Sequence, residues 1–309
     1  MIVLPATDPD APPAATTRRH FPVIRYDLES TLNSGQAFRW EQNGKGWEGV
    51  IGNRWVRLSA TPEGLVAESL KPVTDWSWLS RYLQLDQDFD EILRSFPDDE
   101  PMREAVRQVH GLRLLRQDPW ECLASFLLSS TKQIVQIRRI VAQLCQRHGD
   151  PVPVPPGSKP AFTFPGAERL ARVSEADLRD CRMGFRAGYL RNTALRVAGG
   201  NLDLAALFRV SEDEARALLM ELPGVGRKIA DCILLFAYGF PRAFPIDVWV
   251  LKALRALYFD GRAVPQRELQ TFAAAHFGPQ AGYAQQYLFH YMRGRFHENR
   301  THWNSRSVF

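Results

Sequence analysis

The sequence predicts an α+β protein: a small N-terminal antiparallel β-sheet domain packed on a larger all-helical region. Three observations carry this. Between Ala37 and Leu70, short apolar runs at 38–40, 47–51, 54–60 and 65–69 are separated by Asn43-Gly44, Gly52-Asn53 and Pro62-Glu63-Gly64. Such turn dipeptides between short strands are the strongest local hairpin signal. From about Thr74 the apolar residues recur at helical spacing instead. Residues 149–165 then hold six prolines, which excludes regular helix there and leaves an extended connector or a surface rim.

In chain order, residues 1–20 read as a loose leader rich in Pro and Ala, 21–105 as the β domain and 106–309 as the helical region. The sheet needs a helical partner to bury its apolar face. Trp47 and Trp55 suit that core better than a ligand contact. Asp118-Pro119 opens a long apolar segment through His148, read as two helices broken near Ser130. Shorter helices follow at 174–184, 189–197 and 203–208. Ser211 is a good N-cap for a helix reaching Leu222, with Glu214 in capping-box position. Pro223, Gly224 and Gly226 break that helix, and the next runs from Arg227 to about Tyr238. Asp247 caps a further apolar helix, VWVLKALRALY.

Composition bounds the function. The chain has 309 residues and a formal net charge of +5, a mild basic balance that permits nucleic-acid binding without requiring it. The gaps between Cys122, Cys145, Cys181 and Cys232 are 23, 36 and 51 residues, so zinc-site and iron–sulfur spacings are absent and no cofactor is implied. Residues 1–20 contain no apolar signal-peptide core, and no run approaches the roughly 18 apolar residues of a membrane span. The expectation is a monomer of the cytoplasm or nucleoid with no membrane partner.

The segment LPGVGRKIADCILLFAYGFPRAFPID, residues 222–247, points to chemistry. Gly224, Val225 and Gly226 place uncovered amides beside a helix N-terminus, an arrangement that binds anions, and a DNA phosphate suits a basic protein. An ordinary interhelical turn has the same residues. Lys228 sits in the first helical turn, where the macrodipole disfavours a cation. A nucleophilic amine must shed its proton, and desolvation with nearby positive potential favours that. A phosphate-contacting lysine is the other reading. Asp247, nineteen positions later, tips the pair toward catalysis.

These residues, with SGQAFRW at 34–40, GLRLLRQDPWECLASFLLSS at 111–130, MGFRAGY at 183–189 and GPQAGYAQQYLF at 278–289, resemble the 8-oxoguanine DNA glycosylases of the helix-hairpin-helix superfamily. The resemblance spans most of the chain. It implies a bifunctional glycosylase and β-lyase acting on duplex DNA in base excision repair. Lys228 would attack C1′ and form a Schiff base, with Asp247 stabilising charge at the sugar. Cys232 and Phe289 would sandwich the flipped base, and Gln285 would bond its Watson–Crick edge. The Gly35 carbonyl would accept the N7–H that distinguishes 8-oxoguanine from guanine. Each residue has a plainer role open to it: Phe289 in the core, Cys232 as a small hydrophobe, Gln285 as a surface amide, Gly35 as a turn.

The pattern also breaks. Where the family carries an asparagine run, the chain reads Ser129-Ser130-Thr131-Lys132-Gln133, and a cytosine-reading arginine aligns with Gln136. Arg186 keeps the second such arginine, beside a wedge-like Phe185. Trp249 replaces a phosphate-contacting histidine. A glutamine cannot reproduce an arginine fork on a base edge, so relaxed opposite-base preference is expected. Two alternatives stay open: the same fold acting on another damaged base, alkylated or oxidised, and a damage-binding protein without catalysis.

Overall fold

A computed structural model describes residues 16–44, 46–70, 73–130 and 132–305, with side chains through Arg295. The α+β architecture is as expected. Strands β1 (Thr16–Pro22), β2 (Glu41–Asn43), β3 (Gly46–Ile51), β4 (Arg54–Thr61) and β5 (Gly64–Leu70) form an antiparallel sheet in the order β1-β5-β4-β3-β2. Ile51 pairs with Arg54, so Gly52-Asn53 is a two-residue hairpin loop, and Gly52 supplies its positive φ of 59°.

Two expectations fail here. Residues 16–20 are not leader but most of β1, whose register runs from Thr16↔Leu70 to Pro22↔Gly64. This edge strand turns only Phe21 into the core while Arg18, Arg19 and His20 face solvent, so it carries no apolar alternation to read. Phe38–Trp40 form no strand. Phe38 enters the helical core and Trp40 the sheet core, so their apolarity reflects burial of a crossover. Trp47 and Trp55 are buried as expected.

Helices α1 (Leu28–Asn33) and α2 (Ser77–Leu83) cover the sheet, burying Leu32, Leu79 and Leu83 against Val56, Leu58 and Leu65. A larger core runs through the remaining helices: α3 (Phe89–Arg94), α4 (Glu100–Gln108), α5 (Pro119–Leu127), α6 (Ile134–His148), α7 (Ala167–Arg172), α8 (Glu175–Leu178), α9 (Arg186–Ala198), α10 (Glu212–Met220), α11 (Arg227–Ile233), α12 (Val248–Tyr258), α13 (Gln266–His276) and α14 (Ala281–Ser305). The break near Ser130 is present between α5 and α6. The proline-rich segment is extended, pairing β6 (Pro151–Val152) with β7 (Ala161–Phe162). Arg39 pins it by donating to the Phe162 carbonyl and pairing with Glu121 at 3.0 Å. Among the described residues, no helix is long and apolar enough to cross a membrane.

Candidate active site

A cleft of about 1030 Å³ opens where α5, α6, α11, α12 and α14 meet the Ser34–Gln36 turn. Its floor is aromatic. Phe126 stacks on Phe236 with centroids 5.5 Å apart, and Phe38 meets Phe126 edge-on at 5.4 Å. Lys228 enters over that floor, its Nζ 5.5 Å from the Phe126 centroid. In the sequence Phe126 and Phe236 are indistinguishable from ordinary core residues, so this floor was not foreseen.

The helix that carries Lys228 is held from behind. Lys228 and Cys232 share one face of α11, whereas Asp231 points toward α10. There the Asp231 carboxylate accepts from Arg216 Nε at 2.7 Å, with both side chains almost fully buried. Burial pushes the Asp231 carboxyl up and Arg216 draws it back down. Removing one partner of such a pair costs about 3–5 kcal/mol because the other charge is left buried alone. The helix then widens into a π turn at Leu234–Tyr238. The Phe236 carbonyl in this turn accepts from the Gln117 backbone N–H at 2.8 Å.

Asp247 caps α12. Its Oδ1 accepts from the Trp249 and Val250 N–H groups at 2.9 and 2.8 Å. Among the described residues, Oδ2 takes no such bond, and the carboxyl lines the same cleft as Lys228. Burial raises its pKa above the ordinary carboxylate value, opposed by the Val250 amide, the charge of Lys228 and the Trp249 amide. Burial likewise pushes the Cys232 thiol up to about 12, with Lys228 pulling the other way. Cys232 is therefore a neutral thiol, suited to packing against a flat ring.

Helix α14 lines the cleft with Gln285, Phe289 and Arg293, spaced four residues apart on one face, and with Gln286. The Gln285 side chain is 3% exposed, and its Oε1 is buried without a hydrogen-bond partner. A buried acceptor without a partner is costly, and this one belongs to a residue that lines the cleft. Gly35 lies opposite with φ +78°, and a Cβ there would come 2.6 Å from Ile134 Cδ1 and 3.8 Å from Phe289 Cζ. Lys132, Trp249 and Gly226 complete the wall, with Lys252 Nζ 4.8 Å from the Trp249 ring centroid.

Gly224, Val225, Phe185, Arg186 and Gln136 do not line the cleft. Gly224 has φ +82° and sits against Tyr189, but Gly226 has an extended backbone at φ −91° with open space where a side chain would go. Only Gly224 therefore uses the left-handed freedom of glycine. The Val225 N–H is spent on the Leu222 carbonyl at 3.0 Å, and its side chain is buried. That amide is not open to an anion; the first turn of α11, which has no side-chain cap, is. Phe185 is 60% exposed. The Arg186 guanidinium stacks 4.4 Å from its ring centroid and donates from Nε to Ser130 Oγ at 3.0 Å. The exposed Gln136 is occupied at home: its Oε1 accepts the Gln133 N–H at 3.0 Å, capping α6. Thr131 lies outside the described residues.

With this geometry in view, comparisons with known proteins agree in one direction. Residues 20–123 match the family described as 8-oxoguanine DNA glycosylase, N-terminal domain. Over 88% of its length the chain is 31% identical to a probable N-glycosylase/DNA lyase of Methanothermobacter thermautotrophicus, covering 95% of that protein. It is 33% identical to the N-glycosylase/DNA lyase OGG1 of Arabidopsis thaliana, covering 88% of this chain and 80% of that one. The Clostridium acetobutylicum 8-oxoguanine glycosylase/lyase, solved with double-stranded DNA containing cytosine opposite 8-oxoG, superposes with a TM-score of 0.82 at 31% identity, over 87% of this chain and 92% of that one. Nearly whole-length likeness at this identity, in sequence and in structure, places the chain in the 8-oxoguanine DNA glycosylase family of N-glycosylase/DNA lyases.

Proposed function

We propose that this chain is a bifunctional glycosylase and AP lyase that removes 8-oxoguanine from duplex DNA during base excision repair. The observation that carries this is the convergence of Lys228 and Asp247 on one cleft whose wall holds a buried, unpartnered Gln285 acceptor. The cleft is far larger than one base, leaving room for the flanking backbone. A damaged purine leaves the stack at a cost of a few kcal/mol and enters between Cys232 and Phe289. Gln285 bonds its Watson–Crick edge, and the Gly35 carbonyl accepts its N7–H.

The Lys228 amine, its proton given up to solvent, attacks C1′. The N–C1′ bond forms as the N-glycosidic bond breaks, and the base leaves with the electron pair and takes up a proton. Asp247 offsets the positive charge that develops at the sugar. Ring opening gives an imine, which makes the 2′ proton acidic. Its loss expels the 3′ phosphate by β-elimination and nicks the strand.

Duplexes carrying single defined lesions, incubated with the protein and borohydride, test this directly. A covalent protein–DNA band is expected with 8-oxoguanine; no band with any lesion or abasic site would point to a damage binder without lyase chemistry. Run against all four opposite bases, turnover is expected to agree within about one order of magnitude, because a missing bidentate arginine removes roughly 1–3 kcal/mol of discrimination. Strong cytosine selectivity would refute the role given to Gln136.

The hairpin's phosphate contact has its own test. Gly226→Ala meets nothing in the protein, so its melting temperature should be unchanged while duplex affinity falls several-fold. Gly224→Ala would force a Cβ to 2.4 Å from Tyr189 Cδ2 at a positive φ. It should lower stability by more than about 1 kcal/mol. Unchanged DNA affinity in Gly226→Ala would show that no phosphate approaches there.

A further inference from the structure

The Ser34–Gly35–Gln36 turn is fixed on both sides by bonds that sequence reading did not anticipate. Gln36 is fully buried, and every polar atom of its side chain is engaged. The two N–H groups of its Nε2 are shared among three acceptors, the Thr31 carbonyl at 2.9 Å, the Arg113 carbonyl at 2.8 Å and Ser34 Oγ at 3.1 Å. Its Oε1 accepts the Leu115 N–H at 2.8 Å. Its own carbonyl accepts from Gln117 Nε2 at 2.6 Å. Gln117 is the residue whose backbone holds the π turn behind Lys228, so one residue ties the Gly35 turn to the catalytic helix. On the other side, the Ser34 carbonyl accepts from Gln286 Nε2 at 3.2 Å and the Asn33 carbonyl from Arg293 Nη1 at 3.0 Å.

Amid these bonds, the Gly35 carbonyl accepts none from any described residue, although Gly35 lines the cleft. The Gly35 carbonyl and the Gln36 nitrogen belong to one rigid planar peptide unit. Holding the Gln36 side chain therefore sets the direction of the Gly35 oxygen. A flexible acceptor could turn to water or meet a base at a poor angle, and discrimination by one hydrogen bond fails when its geometry is loose.

We propose that Gln36, seconded by Gln117, is a positioning residue for lesion discrimination, holding the Gly35 carbonyl at the angle at which it reads the N7–H of the damaged purine. This rests on the 8-oxoguanine reading above. The chemistry at Lys228 and Asp247 does not depend on the Gly35 oxygen once the base is gone. Base excision and the nicking of a preformed abasic site therefore separate the two roles.

Gln36→Met removes the amide at similar volume, and Gln117→Leu removes only the bond to the Gln36 carbonyl, so folding of the second variant is the safer. In each folded variant, single-turnover excision of 8-oxoguanine is expected to fall by about tenfold or more. Nicking of a preformed abasic site should stay within about twofold, the scale of an unperturbed site. Unchanged 8-oxoguanine excision in folded Gln117→Leu, or equal losses in both assays, would overturn the proposal. A wild-type protein that nicks abasic DNA but leaves 8-oxoguanine in place would remove the substrate reading and this inference with it. An active wild type with unchanged variants would remove this inference alone.

Discussion

Lys228→Gln is expected to abolish the borohydride-trapped adduct and to lower base excision by about three orders of magnitude or more, while binding to lesion-containing DNA persists. Glutamine keeps the stem that packs over the Phe126 ring and remains polar at the cleft, so the floor and α11 should hold their shape. It has no lone pair on an amine with which to form an imine. The Arg216–Asp231 pair that anchors the helix from behind is untouched. Loss of trapping with retained affinity and an unchanged melting temperature would assign the nucleophile. A trapped adduct of wild-type yield would exclude Lys228 and direct attention to another amine.

Asp247→Asn should lower excision about 10²- to 10³-fold without a loss of fold. Asparagine is as good an N-cap as aspartate, so the bonds to the Trp249 and Val250 amides survive and only the charge is removed. The sign of the pH dependence follows from burial, which holds this carboxyl above the ordinary aspartate value. As pH falls, Asp247 takes up its proton earlier than an exposed aspartate does, so the acid limb of the wild-type rate profile should be displaced to higher pH than an ordinary aspartate would give. The variant should lack that limb. Stability moves the other way. A carboxyl whose folded pKa is raised binds its proton more tightly folded than unfolded, so its charge costs stability at neutral pH and the cost is relieved as pH falls through the folded value. Removing the charge should leave the melting temperature at neutral pH equal or higher. A variant both inactive and markedly less stable would mean that the cap, rather than the charge, is what activity needs.

Local features were legible because each is set within a few residues. The hairpin turn at Gly52, the N-caps at Ser211 and Asp247 and the break between α5 and α6 all depend on neighbours in sequence. The β1 strand was not, because an edge strand that buries one side chain leaves no alternation. The availability of the Val225 amide was misjudged for a similar reason. A glycine-rich turn announces uncovered amides, but the bond from Val225 to Leu222 depends on how tightly that turn closes.

By itself, the sequence determined the fold class, the hairpin, and the places of Lys228 just after it and of Asp247 at the start of the next helix, since periodicity, capping and motif order are carried by residue identity along the chain. The tertiary structure decided what surrounds them. It placed Phe126 and Phe236 as the floor, set Gln285 as a buried acceptor without a partner, and clamped the Gly35 turn through Gln36 and Gln117. The contacts from Gln36 to Arg113 and from Gln117 to Gln36 join residues 77 and 81 positions apart. No local preference encodes such a meeting. It exists only once the sheet and the helical core have packed and brought their loops to the same wall of the cleft.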